Sequence, residues 1–286
     1  MRKKLNALVK APFGAKPVFK KKTHLFLLLD QSVSVQITPL RIAIALLLVT
    51  GIVLLAEVLF LFYRIGIGLA IAGRSAPFES IKPDARLRVL VIGDSTGVGT
   101  GSATPSESVA GRIARDFPGT EIVNRARNGA RVKDVLVQLV GSGSGEYDMI
   151  LLQVGGNDIL RFTPLDELKV SIAEVLRVAS GKARRVIFIS TGNVGLAPAF
   201  FPPLSWIYTW RTRSVRALFM ETARDQNAQY VDLFRERGQD LFLENPAKFY
   251  APDLLHPSGE GYGVWYRELR RQMDLDTVLG SSRAGE

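Results

Sequence analysis

The chain has 286 residues, a net charge of +10 and no cysteine. That length allows one ordinary domain with a segment to spare, and the lack of cysteine excludes disulfides, thiolate metal sites and lipoprotein-type acylation. The charge does not mark a nucleic-acid-binding face: residues 1–41 hold nine Lys or Arg against Asp30 alone, and the remainder is close to neutral, so the excess belongs to a tail beside a hydrophobic segment.

Residues 1–41 read as that basic tail. Between Arg41 and Arg64 lie 22 residues, IAIALLLVTGIVLLAEVLFLFY, with a single charge at Glu57. At 1.5 Å per residue they make about 33 Å of helix, enough to cross the hydrocarbon core. AIAG at 70–73 resembles a signal-peptidase site. A signal peptide, however, has a short basic start and an apolar core of about 7 to 15 residues, so residues 42–63 are read as an uncleaved, single-pass anchor. The positive-inside rule then predicts a cytoplasmic N-terminus and places everything after Arg64 on the periplasmic side. Glu57, near the Tyr63 end, is read as a carboxylate that snorkels to the interface or is protonated. Residues 64–85 form a juxtamembrane segment and linker: IGIGLAIAG lies at the membrane surface or continues the helix, and GRSAPFESIKPDAR mixes Gly, Pro and charge without periodicity.

From Arg86 strand and helix signals alternate. Strands are expected at 88–92, 121–124, 149–154, 185–190 and 230–233. Helical spacing connects Val109, Ile113 and Phe117, then Val132 to Val140, then Leu165 to Leu176. TPLD at 163–166 offers Thr163 as N-cap and Pro164 as the first helical residue. A last helix after Ser258 would bury Tyr262, Trp265, Tyr266 and Leu269. Short, doubly apolar strands alternating with helices predict a three-layer α/β domain with a parallel sheet over 86–275, followed by a disordered tail, 276–286. Ligands of such sheets bind beyond the carboxyl ends of the strands.

The first strand runs into GDSTGVGTGS at 93–102. It is not a P-loop, because no lysine occurs between Lys82 and Lys133. It is a poor dinucleotide fingerprint too: Gly97 and Gly99 match, but Ser102 takes the third glycine's place and Asn124 stands where an acid is needed. A nucleophile at Ser95 needs a base. Of two histidines, His24 precedes the span, which leaves His256, with Asp253 three residues upstream. A tight loop can set the Asp253 carboxylate on Nδ1 and leave Nε2 to take a proton from a serine. Gly129 and Asn157, each just past a strand, are candidate donors to an oxyanion. Gly129 is expected to open a helix; a plain helix-start glycine and a plain turn asparagine are the alternatives.

Gly93, Asp94 and Ser95, then Gly129, then Gly155, Gly156, Asn157 and Asp158, then Asp253, Leu254, Leu255, His256 and Pro257 resemble, in order and approximate spacing, the four blocks of the SGNH (GDSL-like) hydrolases. Thr96 departs from the leucine of the family's commonest motif. The resemblance spans residues 86 to about 272. It implies a flavodoxin-like sheet, Ser95 as nucleophile, His256 as general base and then acid, Asp253 as its orienter, and an oxyanion hole from the Ser95 and Gly129 N–H groups with the Asn157 side chain. Neither metal nor cofactor is required, and Asp94 and Asp158 are expected to fix loops. The expected activity is that of a membrane-anchored serine esterase working through an acyl-enzyme on acyl lipids or small acyl esters. An O-acetyl esterase on envelope polysaccharide and a non-catalytic module of the same fold are the alternatives. The segment 193–210, with Phe200, Phe201 and Trp206, is expected to wall an acyl chain or rest on the membrane.

Overall fold

The structure, a computed structural model, describes residues 38–143 and 146–280. The basic tail up to residue 37, with His24, and the chain end beyond 280 lie outside the described residues. Helix α1 (Pro39–Ala72) is followed by β1 (Leu87–Gly93), α2 (Ser95–Val98), α3 (Val109–Asp116), β2 (Thr120–Asn124) and α4 (Val135–Gly141). Then come β3 (Tyr147–Gln153), α5 (Gly156–Leu160), α6 (Leu165–Ser180), β4 (Ala183–Ile189) and α7 (Leu204–Asp225). The chain ends with β5 (Gln229–Val231), α8 (Pro246–Phe249), α9 (Gly259–Gln272) and α10 (Leu275–Gly280). It divides within α1: the part of α1 up to Ile52 falls in one unit, and from Val53 the described residues fall in a second that contains the α/β domain.

The five strands form one parallel sheet in the order β2-β1-β3-β4-β5. This is the flavodoxin-like order, whose direction of winding reverses between β1 and β3. Alternation along β1 explains the layers. Leu90 and Ile92 point into a core closed by α4, α6 and α7, with Leu139, Ile172 and Phe219. Val89 and Val91 point into a second core closed by α3, α9 and α10, with Ile113, Tyr262 and Leu269. Both faces are covered, so the buried centres of β1, β3 and β4, at 89–92, 149–152 and 186–189, carry apolar residues without a polar side.

Several expectations are refined. Helix α1 runs without a break through Arg64 to Ala72, and Glu57 is its buried residue. The linker is pinned at Ser80, whose N–H and C=O pair with Ile122 at 3.0 and 2.9 Å. Helix α6 starts at Leu165 because Pro164, at ψ 139, sits in the cap position; the Thr163 hydroxyl instead donates to Asp158 at 2.9 Å. Part of the expected disordered tail, 276–280, belongs to α10, because Leu275 and Leu279, one turn apart, bury against the second core. The long segment at 193–210 is shortened by α7, which begins at Leu204.

Among the described residues, α1 is the one helix long and apolar enough to cross a membrane.

Candidate active site

Strands β1 and β3 end side by side, with Gly93 opposite Gln153, so the loops that follow them meet at the point where the sheet's winding reverses. Asp94 caps α2, accepting from the Thr96 N–H at 2.8 Å and the Thr96 hydroxyl at 2.7 Å. This places Ser95 as the first helical residue, where its N–H has no intrahelical acceptor. A residue that sequence reasoning missed holds the strand end. The buried Gln138 side chain accepts from the Gly93 N–H at 2.8 Å and donates to the Gly93 carbonyl at 2.9 Å.

The histidine loop arrives from the other side of the sheet. An antiparallel bridge between Tyr250 and Pro257 closes it, and Leu254 takes a left-handed φ of 62°. Asp253 Oδ1 accepts from the N–H groups of Leu255 and His256, both at 3.0 Å. Its Oδ2 lies 2.5 Å from His256 Nδ1, and His256 Nε2 lies 2.8 Å from Ser95 Oγ. Burial raises the Asp253 carboxyl, but the hydrogen bonds from the His256 ring and the two backbone N–H groups outweigh it, so the group titrates below its ordinary value. It is therefore a carboxylate at neutral pH.

Gly129 does not open a helix as expected. It sits in a turn at φ 77°, a conformation that favours glycine, and the next helical turn starts only at Val132. Asn157, in the first turn of α5, donates through Nδ2 to the Ala130 carbonyl at 3.1 Å, which leaves its second amide hydrogen for a ligand. Asp158 fixes this corner, accepting from the Val132 N–H and the Thr163 hydroxyl, both at 2.9 Å. Ser95, Gly129, Asn157 and His256 all line one cavity of about 260 Å³. Ser95, Asn157 and His256 also line a second, of about 290 Å³.

The expected substrate wall is placed differently. Phe200, Phe201 and Trp206 line neither cavity. Phe200 is buried with its ring 4.5 Å from that of Tyr208, Phe201 meets Phe60 of α1 at 5.4 Å, and Trp206 is 67% exposed. The segment contributes small residues instead, Ala197 to one cavity and Ala199 to the other. Among the described residues there is no cluster of three or more His, Cys, Asp or Glu able to hold a metal ion.

Asp94 carries a pH-dependent cost. Desolvation pushes its carboxyl from an ordinary 3.8 to about 6, against the hydrogen bonds from Thr96. A raised acid favours folding only in its neutral form, so stability is fullest below about pH 4, falls as pH rises through about 6, and then levels off. At 1.36 kcal/mol per unit the loss is on the order of 3 kcal/mol. Asp94→Asn keeps an acceptor for Thr96 and escapes it. Its stability relative to wild type, read by urea unfolding, should climb by that order between pH 4 and pH 7; a difference flat with pH would contradict this.

A family model described as the GDSL-like lipase/acylhydrolase family matches residues 91–264. Among solved structures, an extracellular lipase from Streptomyces rimosus superposes with a TM-score of 0.52 at 16% identity, covering 65% of this chain and 100% of that one. A protein from Lactobacillus plantarum gives 0.52 at 20% identity, covering 66% and 96%. At such identities these two establish the shared fold. No curated protein sequence matches the chain. The family match encloses the ends of β1, β2 and β3 with Ser95, Gly129 and Asn157, and also the loop that carries Asp253 and His256; the chain belongs to the GDSL-like lipase/acylhydrolase family.

Proposed function

We propose that the chain is a membrane-anchored serine esterase that hydrolyses carboxylic esters through an acyl-enzyme. The observation that carries this reading is the continuous relay from Asp253 Oδ2 through His256 to Ser95 Oγ, at 2.5 and 2.8 Å, opening onto a cavity that Gly129 and Asn157 share. Asp253 keeps the proton on Nδ1, so Nε2 is a free base toward the serine. Ser95 Oγ attacks the ester carbonyl carbon while its proton passes to Nε2. The negative charge on the carbonyl oxygen is met by the Ser95 and Gly129 N–H groups and the Asn157 amide. Collapse breaks the bond to the alkoxide, which leaves with the proton from His256. Water then repeats the sequence on the acyl-enzyme and regenerates Ser95.

A fluorophosphonate tests this, because it captures an activated serine. Wild-type protein should label at one site and Ser95→Ala should not. A folded wild type that does not label would leave a binding module of the same fold.

Anchoring rests on α1, with the basic flank on the cytoplasmic side and the domain on the other. Trp206 and Trp210, one turn apart on α7, are 67% and 61% exposed. They suit the interfacial zone that such rings favour. A periplasm-active reporter fused after Gly73 should be active; a fusion active only in the cytoplasm would reverse the topology.

A further inference from the structure

An ester has two arms that diverge at its carbonyl carbon, and two cavities meet at Ser95, Asn157 and His256. They differ in character. The cavity of about 290 Å³ carries Arg235, Gln239, Asp240 and Glu268 beside Leu241, Phe242 and Trp265, a mixed lining that can take a polar alcohol. The cavity of about 260 Å³ is the one that Gly129 lines, and much of its wall comes from α1: Leu61, Ile65, Gly68, Leu69 and Ala72, facing Ala199 and Leu255.

The helix is fastened there by the loops that carry the site. Arg64 Nη1 donates to the Pro252 carbonyl at 2.8 Å, next to Asp253. Asn128, next to Gly129, donates to the Ala72 carbonyl at 2.9 Å. Phe60 packs on Phe201. Gly68 permits the approach, since a Cβ there would stand 3.2 Å from Asp253 Oδ2.

We propose that the last turns of α1 form part of the substrate site: Leu61, Ile65, Gly68 and Leu69 wall a channel that receives the acyl chain of a long-chain ester resident in the bilayer. This rests on the esterase reading above. The carbonyl must face Ser95, Gly129 and Asn157, so one arm lies in the cavity they share, and its apolar wall selects the acyl arm. The source follows from helix length. Thirty-four residues make about 51 Å of helix against about 30 Å of hydrocarbon, so the turns that wall the channel are those at or just beyond the interface, where a lipid chain is at hand.

The test uses the full chain in phospholipid vesicles with p-nitrophenyl esters from acetyl to hexadecanoyl. Wild type should favour dodecanoyl over acetyl in kcat/KM, by up to about fourfold per methylene buried. Ile65 and Leu69 are 48% and 70% exposed, so Ile65→Trp and Leu69→Trp fill the channel without entering a packed core. Each should lower the dodecanoyl-to-acetyl ratio by about tenfold or more. The fluorophosphonate labelling rate reports the state of the catalytic residues in each variant; should Ile65→Trp lose labelling, Leu69→Trp decides. A wild type that favours acetyl, or ratios moved less than about twofold in variants that label normally, overturns the channel. Wild type that neither labels nor turns over any ester overturns the esterase reading itself.

Discussion

Ser95→Ala and His256→Ala are each expected to lower kcat on an activated ester by on the order of 10⁴ or more, and the double variant by no more than either alone. In the proposed mechanism the two side chains perform one event. The Ser95 hydroxyl is a weak nucleophile until Nε2, 2.8 Å away, removes its proton as the carbon–oxygen bond forms, and the imidazole has nothing to deprotonate once Oγ is gone. What remains in any of the three variants is the binding of the ester and the N–H groups aimed at its oxygen, which still favour attack by water. Ser95→Ala removes one small polar atom from a buried site, so folding should survive, and unchanged thermal unfolding serves as the control. If the two losses multiplied in the double variant, Ser95 and His256 would be acting independently and the relay would be refuted.

The parts of the site legible in the sequence are those with local or positional signatures. Asp253 and His256 lie three residues apart, and His256 is the one histidine after the apolar span, so the pair could be named without a fold. Ser95, Gly129 and Asn157 follow apolar runs, and a parallel sheet gathers whatever follows its strands at one edge. Gln138 had no such signature. Its bond to Gly93 spans 45 residues, and a glutamine in an amphipathic helix looks like a solvent residue until the turn of the helix is known. The aromatic residues at 200–206 stand out by size, yet Phe200 is buried against Tyr208, Phe201 packs on α1 and Trp206 faces solvent, so none of the three lines either cavity. The segment that does wall a cavity, 65–73, is apolar on every side and rich in glycine, so no periodicity showed which face would meet the domain. A helix of six residues, such as α10, is too short for spacing to reveal.

Asp253→Asn is expected to lower kcat by about 10⁴ while leaving the loop in place. The asparagine carbonyl can still accept from the Leu255 and His256 N–H groups, which hold the turn at 3.0 Å each. Its NH₂ then occupies the position of Oδ2 and donates toward Nδ1. The imidazole answers by moving its proton to Nε2, and a protonated Nε2 aimed at Ser95 cannot take a second proton. Charge is lost as well, because the imidazolium formed during attack no longer has a carboxylate beside it. Stability should respond in the opposite sense to Asp94→Asn. The Asp253 carboxyl titrates below its ordinary value, so it stabilises the fold above that ordinary value and loses the contribution as pH falls through the folded one. Asp253→Asn should therefore be less stable than wild type at neutral pH, with a gap that narrows on acidification, whereas the advantage of Asp94→Asn widens as pH rises. Steady-state kinetics beside urea unfolding at several pH values separates the two effects. A fall in kcat of less than about tenfold would mean that the loop backbone alone orients His256, and that the carboxylate 2.5 Å from Nδ1 serves the fold and not the reaction.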